Sequence, residues 1–188
     1  MIDVIDYRTA WPLEFKKVGV RLRSNLGELA VRIDHIGSTS VPGLCAKDVL
    51  DIQVSVHTLD PAVAKKLSKL GFRSRSGVWV DHRPPEASGP DEDWQKLLFS
   101  EPINERRINL HVRVVGRPNQ RYPLLFRDYL IAHPQMAAAY GALKRRLAAG
   151  LRNDADYAVV KDPAVDLIYL AAESWSKCVV WQPGVSDA

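Results

Sequence analysis

Two stretches of the chain alternate apolar and polar residues with the period of a β-strand. The clearer one covers residues 49–56, where the polar positions are Asp51, Gln53 and Ser55. The other covers residues 107–115, where the polar positions are Arg107, Asn109, His111 and Arg113. If both strands belong to one sheet, these polar side chains share a face. Such a face is compatible with a solvated surface and with a functional site.

Apolar residues at helical spacing predict helices on both sides of these strands. One runs from Pro12 to about Leu29, and a second follows Asp60, which suits an N-cap, and Pro61. The last third is helical, with segments at residues 121–132, 134–149 and 163–180. Shorter strands are predicted at residues 31–36, near 72, at 78–80 and at 94–99. Residues 83–93 predict a mobile loop rich in proline and acidic residues.

The order of these elements predicts an α+β fold. We expect a mixed or antiparallel sheet with helices packed on one face and a C-terminal helical segment. One domain would cover residues 1–181, with the sheet in about 1–115 and the helices in about 119–181. Residues 182–188 predict a flexible tail.

Composition places the chain among ordinary globular proteins. It has 188 residues, of which 46% are hydrophobic and 26% charged. No apolar run reaches the roughly 18–20 residues of a membrane helix, and the first residues do not resemble a signal peptide. Cys45 and Cys178 cannot form a disulfide framework, and their spacing suits no zinc site. We therefore expect a cytoplasmic protein that does not associate with membranes.

The net charge of +4 says little about the ligand by itself, and its distribution along the chain is more informative. Residues 121–161 contain three acidic residues and the basic residues Arg121, Arg127, Lys144, Arg145, Arg146, Arg152 and Lys161. This local surplus is typical of a solvated helix face or of a surface for an anionic ligand. The charge is modest and no RNA-binding aromatic motif is present, so a nucleic-acid partner is not expected.

The most specific segment is the turn between two predicted strands, which reads Gly37-Ser38-Thr39-Ser40. Glycine permits close backbone approach, and the amides of such a turn can face an anion. Twelve residues separate Ser38 from Asp51 on the next strand. This spacing predicts a phosphate cradle beside a carboxylate that could hold Mg²⁺. The alternatives are a simple tight turn and an Asp51 paired with Lys47 or Arg113.

The longer string around this turn resembles the GrpB family (glutamate-rich protein B). The matching segments are 35–44 with Ala46-Lys47 and Asp51-Ile52, 109–112, 126–130 with His133-Pro134, Tyr140 with Leu143-Lys144, Tyr157 with Lys161, and Ala172 with Trp175. The resemblance extends from Trp11 to about Trp175. A similar domain is fused behind dephospho-CoA kinase in some actinobacteria. This chain has no Walker loop, so it is not expected to be that kinase.

The resemblance implies a nucleotidyltransferase-like fold and a set of site residues. By analogy with that superfamily, the phosphate-binding residues would be Gly37, Ser38, Thr39, Ser40, Lys47, Arg127, Lys144 and Lys161. Asp51 and Gln53 would hold Mg²⁺ or Mn²⁺, and Asp51 and His111 would be catalytic. Gln53 departs from the superfamily pattern, in which this position is a second acid.

Two functions follow from the resemblance. In the first, the protein binds an ATP-like nucleoside triphosphate with a divalent metal and transfers a nucleotidyl group to a small acceptor. In the second, it binds a nucleotide or phosphorylated metabolite without chemistry, because Gln53 replaces the second metal carboxylate.

Overall fold

The structure is a computed structural model that describes residues 2–77, 79–85, 87–151 and 153–188. In chain order its helices and strands are α1 (Trp11–Leu26), β1 (Arg32–Ile36), β2 (Leu50–Val56), α2 (Pro61–Lys69), β3 (Arg73–Ser74), β4 (Trp79–Val80), β5 (Gln95–Ser100), β6 (Ile108–Val114), α3 (Pro118–Ala132), α4 (Pro134–Gly150) and α5 (Asp154–Cys178). Val78, within a predicted strand, and Glu86, within the predicted mobile loop, lie outside the described residues.

The strands form a mixed sheet in the order β1-β2-β6-β5-β3, and β4 pairs with β5. β2 and β6 run parallel, and the other pairs are antiparallel. The register places Asp51 opposite Asn109 and Gln53 opposite His111. Because side chains alternate between the faces of a strand, the polar residues of β2 and β6 share one face. The shared polar face predicted from the alternation is confirmed.

The apolar face of the sheet is covered by α1 and α2. Leu22 of α1 and Leu67 of α2 are fully buried against Ile52 and Leu110 of the central strands. Each such side chain contributes roughly 1.5–3 kcal/mol when it leaves water. Trp11 is also fully buried and donates from Nε1 to Asp48 at 2.7 Å, which satisfies its one polar atom.

The C-terminal helices form a second core on the polar side of the sheet. This core contains Leu125, Tyr129 and Leu130 of α3 with Ala172 of α5, and Leu44 joins it from the loop after the Gly-Ser turn. α1 and α2 thus cover the apolar face as expected, while α3–α5 lie across the polar face. A cavity remains between the polar sheet face and this helical layer.

Helix α5 begins earlier than the sequence predicts. Asp162 and Pro163 indicate a helix start, but the helix runs unbroken from Asp154 through Pro163. Asn153 provides the N-cap, because its side chain accepts a bond of 2.8 Å from the Asp156 amide. The extension carries Tyr157 and Lys161 into the cavity wall. Within the described ranges, no helix is both long and apolar enough to cross a membrane.

Residues 184–188, part of the predicted flexible tail, instead lie along β1. The Ala188 amide donates to the Ile33 carbonyl at 3.1 Å, and the Asp187 carboxylate accepts from the His35 amide at 2.9 Å. Asp187 also forms an ion pair of 2.7 Å with Arg127. The tail thus satisfies backbone groups on the free edge of the sheet.

Candidate functional site

The cavity between the polar sheet face and α3–α5 has a volume of about 610 Å³. Its basic lining residues are Lys47, Arg75, Arg107, Arg113, Lys144 and Lys161. Asp51 is the one carboxylate among the described lining residues. This imbalance makes the cavity a favourable place for an anion.

The Gly-Ser turn forms one end of this cavity. Gly37 has φ of 70° and ψ of −171°, a conformation that essentially only glycine adopts. Residues 38–40 then form a short helical turn, in which the Ser40 hydroxyl donates to the Gly37 carbonyl at 2.6 Å. A Cβ atom at Gly37 would collide with the side chain of Asp51. The turn and the carboxylate are therefore in direct contact.

Asp51 is held by neighbours on β6. The Asn109 side chain donates to Asp51 Oδ1 at 2.9 Å, and His111 Nε2 lies 3.9 Å from the same oxygen. Burial acts to raise the pKa of Asp51, but interactions with His111 and Asn109 outweigh it and lower the pKa. Asp51 is consequently ionised at neutral pH.

His111 is a neutral imidazole in this environment. Burial, reinforced by the charge of Arg113, lowers its pKa to about 4. Arg113 Nη2 lies 3.3 Å from His111 Nδ1, and a guanidinium can only donate. The proton of His111 therefore resides on Nε2, the nitrogen that faces Asp51. His111 thus turns an N–H group toward Asp51 at 3.9 Å, an orientation that does not suit a general base.

Gln53 is fully buried, and both ends of its amide have partners. Its oxygen accepts from Arg113 Nη1 at 2.8 Å, and its nitrogen donates to the Gln120 carbonyl at 3.0 Å. Arg113 is held in turn by Asp81 through bonds of 2.8 and 3.0 Å. Asp81 also contacts Lys96. Gln53 stands where the superfamily has its second acid. There it binds the guanidinium of Arg113, which Asp81 holds in place.

Of the two metal ligands that the resemblance implies, Gln53 is already engaged by other partners. Mg²⁺ takes octahedral oxygen ligands, usually one or two carboxylates together with waters and substrate phosphates. Among the described lining residues Asp51 has no second acid beside it, and the Gln53 oxygen already binds a guanidinium. No group of three or more His, Cys, Asp or Glu side chains in the described ranges is arranged to hold a metal ion. The expected pair of ligands, Asp51 and Gln53, is therefore not assembled as a metal site.

All three of the predicted phosphate-binding lysines line the cavity. Lys144 Nζ lies 2.9 Å from Ser38 Oγ, and Lys47 Nζ lies 4.5 Å from the ring centre of Tyr157. Burial lowers the pKa of Lys161, although the nearby carboxylates of Asp162 and Asp51 oppose this.

Arg127 and Ser40, also predicted to bind phosphate, lie elsewhere. They line a separate cavity of about 410 Å³ between parts of α1, β1 and α3. Arg127 pairs with Asp128 and Asp187 and donates to the His35 carbonyl at 2.9 Å. Thr39 lines the main cavity but is nearly fully buried, with its hydroxyl 2.9 Å from His35 Nε2.

The basic surplus of residues 121–161 is only partly directed at the cavity. Arg121 pairs with Glu173 and Arg145 with Asp6, whereas Lys144 and Lys161 line the site. Arg152 lies outside the described residues.

Two other cations come from parts of the chain that no motif singled out. Arg107 stands next to β6, where the alternation had placed it on the polar face. Arg75 follows β3 and donates to Asn109 Oδ1 at 3.1 Å. No signal in the sequence indicates Arg75, because only the pairing of β3 with β5 brings it to the site.

Comparisons with known proteins agree with this architecture. The family model described as GrpB protein matches residues 1–170. A dephospho-CoA kinase of Mycolicibacterium paratuberculosis is 34% identical over 92% of this chain, which spans 46% of that protein. The crystal structure of GrpB from Enterococcus faecalis superposes with a TM-score of 0.74 and 26% identity, covering 92% of this chain and 99% of that one.

A more distant match concerns Cid1. Cid1, solved in complex with its short product ApU, has a TM-score of 0.50 and 14% identity, covering 74% of this chain and 42% of Cid1. This likeness concerns the fold alone, which is the nucleotidyltransferase-like mixed α/β fold expected from the resemblance.

With the Gly-Ser turn, the strand of Asp51 and the family model all in agreement, the chain belongs to the GrpB family.

Proposed function

We propose that this protein binds the phosphate groups of a nucleotide, or of a similar phosphorylated small molecule, in the cavity between the sheet and α3–α5. The observation that carries the proposal is the charge of the described lining, in which Lys47, Arg75, Arg107 and Lys161 face the cavity and Asp51 is the one carboxylate. Lysine and arginine bind phosphate oxygens through charge-assisted hydrogen bonds. Gly37 and Ser38 of the Gly-Ser turn line the same cavity.

Aromatic side chains on the helical wall favour a ligand that carries a base as well as phosphates. Tyr122, Phe126, Tyr140 and Tyr157 line the cavity. Base stacking on such rings contributes roughly 1–3 kcal/mol per base. Cid1, which shares the fold, has been solved with the UTP analog UMPNPP. A nucleotide is therefore the ligand class that we favour.

Binding would not require a divalent metal, because the protein itself supplies the positive charge. Nucleotidyl transfer is the second candidate, and the contact between Asp51 and the Gly-Ser turn favours it. The two functions differ in one measurable property, since a phosphate-binding module of this composition works in EDTA and a metal-dependent transferase does not.

The test is titration calorimetry with pyrophosphate and with ATP, each in EDTA and in Mg²⁺. We expect binding in EDTA, weakened about 10-fold or more by Lys161→Ala because a charge-assisted contact is worth roughly 1.5–3 kcal/mol. Lys69→Ala, which removes an exposed lysine of α2, is the matched control. Binding that appears only with Mg²⁺ would contradict the proposal and favour transfer.

A further inference from the structure

The amine of Lys144 lies against the Ser38 hydroxyl of the Gly-Ser turn. Its Nζ lies 2.9 Å from Ser38 Oγ and also contacts the Cys45 carbonyl oxygen. Lys144 is only 3% exposed, whereas Ser38 is partly exposed in the cavity wall. The lysine therefore stands behind the serine and reaches a ligand mainly through it.

This position differs from that of three other cations around the cavity. Lys47 and Lys161 are partly exposed and Arg107 is exposed, so these three can contact phosphate oxygens directly. The Tyr140 ring lies 4.7 Å from Lys144 Nζ and helps to exclude water from it. A buried amine beside one hydroxyl is better placed to exchange a proton with that hydroxyl than to neutralise a ligand.

The surroundings of Lys144 allow its neutral form. Burial is the main cause that lowers its pKa to about 7, and the charges of Lys161 and Arg145 act in the same direction. Cys45 and Asp51 oppose this shift. A neutral amine has one lone pair and two N–H groups, so it can accept from the Ser38 hydroxyl while it donates to the Cys45 carbonyl.

We propose that Ser38 is a nucleophile toward phosphorus and that Lys144 is the base that accepts its proton. The substrate class rests on the proposed phosphate-binding function, whereas the contact between the two side chains does not. The pair has the arrangement of a serine activated by an adjacent lysine, one of the known variants of nucleophile and base.

The step balances without a further reactant. The Ser38 O–H bond breaks and its proton passes to the lone pair of Lys144 Nζ. Ser38 Oγ forms a bond to the phosphorus of a phosphate ester or anhydride, and the bond from phosphorus to the leaving oxygen breaks. The Lys144 ammonium then returns the proton to that oxygen. The products are a phosphoester on Ser38 and an alcohol or a shorter phosphate.

A fluorophosphonate probe tests the pair without knowledge of the natural substrate. It presents a tetrahedral phosphorus with fluoride as the leaving group, and peptide mass mapping locates the modified residue. We expect labelling of Ser38 that falls about 100-fold or more in Lys144→Arg, because arginine keeps the charge but cannot accept a proton. Ser174→Ala, which removes an exposed helical serine, is the control and should label as the unmodified protein does.

Two further measurements keep the test decisive if Lys144→Arg does not fold. The labelling rate of the unmodified protein should rise with pH and level off above about pH 7, as Lys144 loses its proton. Lys144→Met, which is similar in length and uncharged, should also lose labelling. Absence of label on Ser38, or equal labelling in Lys144→Arg, would overturn the proposal. Pyrophosphate binding measured on the same samples reports the proposed function separately, since it persists if only the Ser38–Lys144 pair is wrong.

Discussion

The carboxylate of Asp51 lies against the Cα atom of Gly37, where no side chain can be accommodated. A Cβ atom on Gly37 would lie 2.9 Å from the Cβ atom of Asp51. This contact joins the two halves of the sequence motif, and it requires glycine for two reasons. One is the collision, and the other is the positive φ angle of 70° at Gly37.

Gly37→Ala should destabilise the protein and displace Asp51. The backbone conformation costs of order 1–3 kcal/mol for a residue with a side chain, and the collision adds roughly another 1–3 kcal/mol. Gly43→Ala is the matched control, because Gly43 also has a positive φ of 79° but has nothing within 4 Å of an added Cβ. Urea unfolding of both variants measures the difference. Equal destabilisation would show that the collision with Asp51 is relieved without cost.

Asp51→Asn should strengthen the binding of pyrophosphate in EDTA. The variant removes the one carboxylate of the described cavity lining, and with it a repulsion toward the anion. At an effective dielectric constant of about 20 and a separation of about 8 Å, that repulsion is roughly 2 kcal/mol per unit charge, which corresponds to a gain of about 30-fold in affinity. Asp3→Asn changes the net charge equally at an exposed position and serves as the control. Calorimetry that finds weaker binding in Asp51→Asn would instead indicate that Asp51 recruits a cation.

Arg113→Met should be much more destabilising than the loss of a surface ion pair. It leaves the Gln53 oxygen without its donor and removes two hydrogen bonds from the Asp81 carboxylate. Breaking a buried charge network in this way costs roughly 3–5 kcal/mol. The control Arg73→Met breaks the exposed pair with Glu101, which is worth about 1 kcal/mol or less. Similar melting temperatures for the two variants would contradict the structural role of Arg113.

Stability should fall as the pH is lowered from about 6.5 to 4. Burial is the main cause that lowers the pKa of His35, and likewise that of His111, to about 4, whereas unfolded histidine titrates near 6.5. Between these values the unfolded chain binds protons that the native protein does not, so acid favours unfolding. Each histidine accounts for on the order of 3 kcal/mol over this range.

Chemical denaturation at pH 7.5 and pH 4.5 measures this effect. The groups whose charges act on His35 are Asp51, Asp187 and Arg127. His35→Gln should reduce the pH dependence by about half, even if it lowers stability at pH 7.5. An unchanged slope in that variant would show that His35 is protonated in the folded protein. The folded protein does not protonate Asp81 between pH 7.5 and pH 4.5. Burial acts to raise the pKa of Asp81, but the charges of Arg113 and Lys96 outweigh it and hold the pKa well below the ordinary value.

The local pattern was enough to predict most elements and the shared polar face. Alternation alone placed Asp51, Gln53, Asn109 and His111 together, because period-2 side chains must lie on one face once their strands pair. It could not predict that α5 continues through Pro163, since the cap that starts the helix is Asn153 and a proline within a helix does not always end it. Nor could it predict that residues 184–188 bind along β1, which depends on a contact distant in sequence.

The candidate site shows the same division between local and distant information. The sequence by itself determined the Gly-Ser turn, the strand of Asp51 and the absence of a second acid at Gln53. Only the tertiary structure decided that Arg113 occupies the place beside Gln53, that Arg127 belongs to another cavity, and that Lys144 meets Ser38. The reason is physical: a periodic pattern reports which face a side chain points to, whereas partners far apart in sequence are set by how the sheet and the helical layer pack.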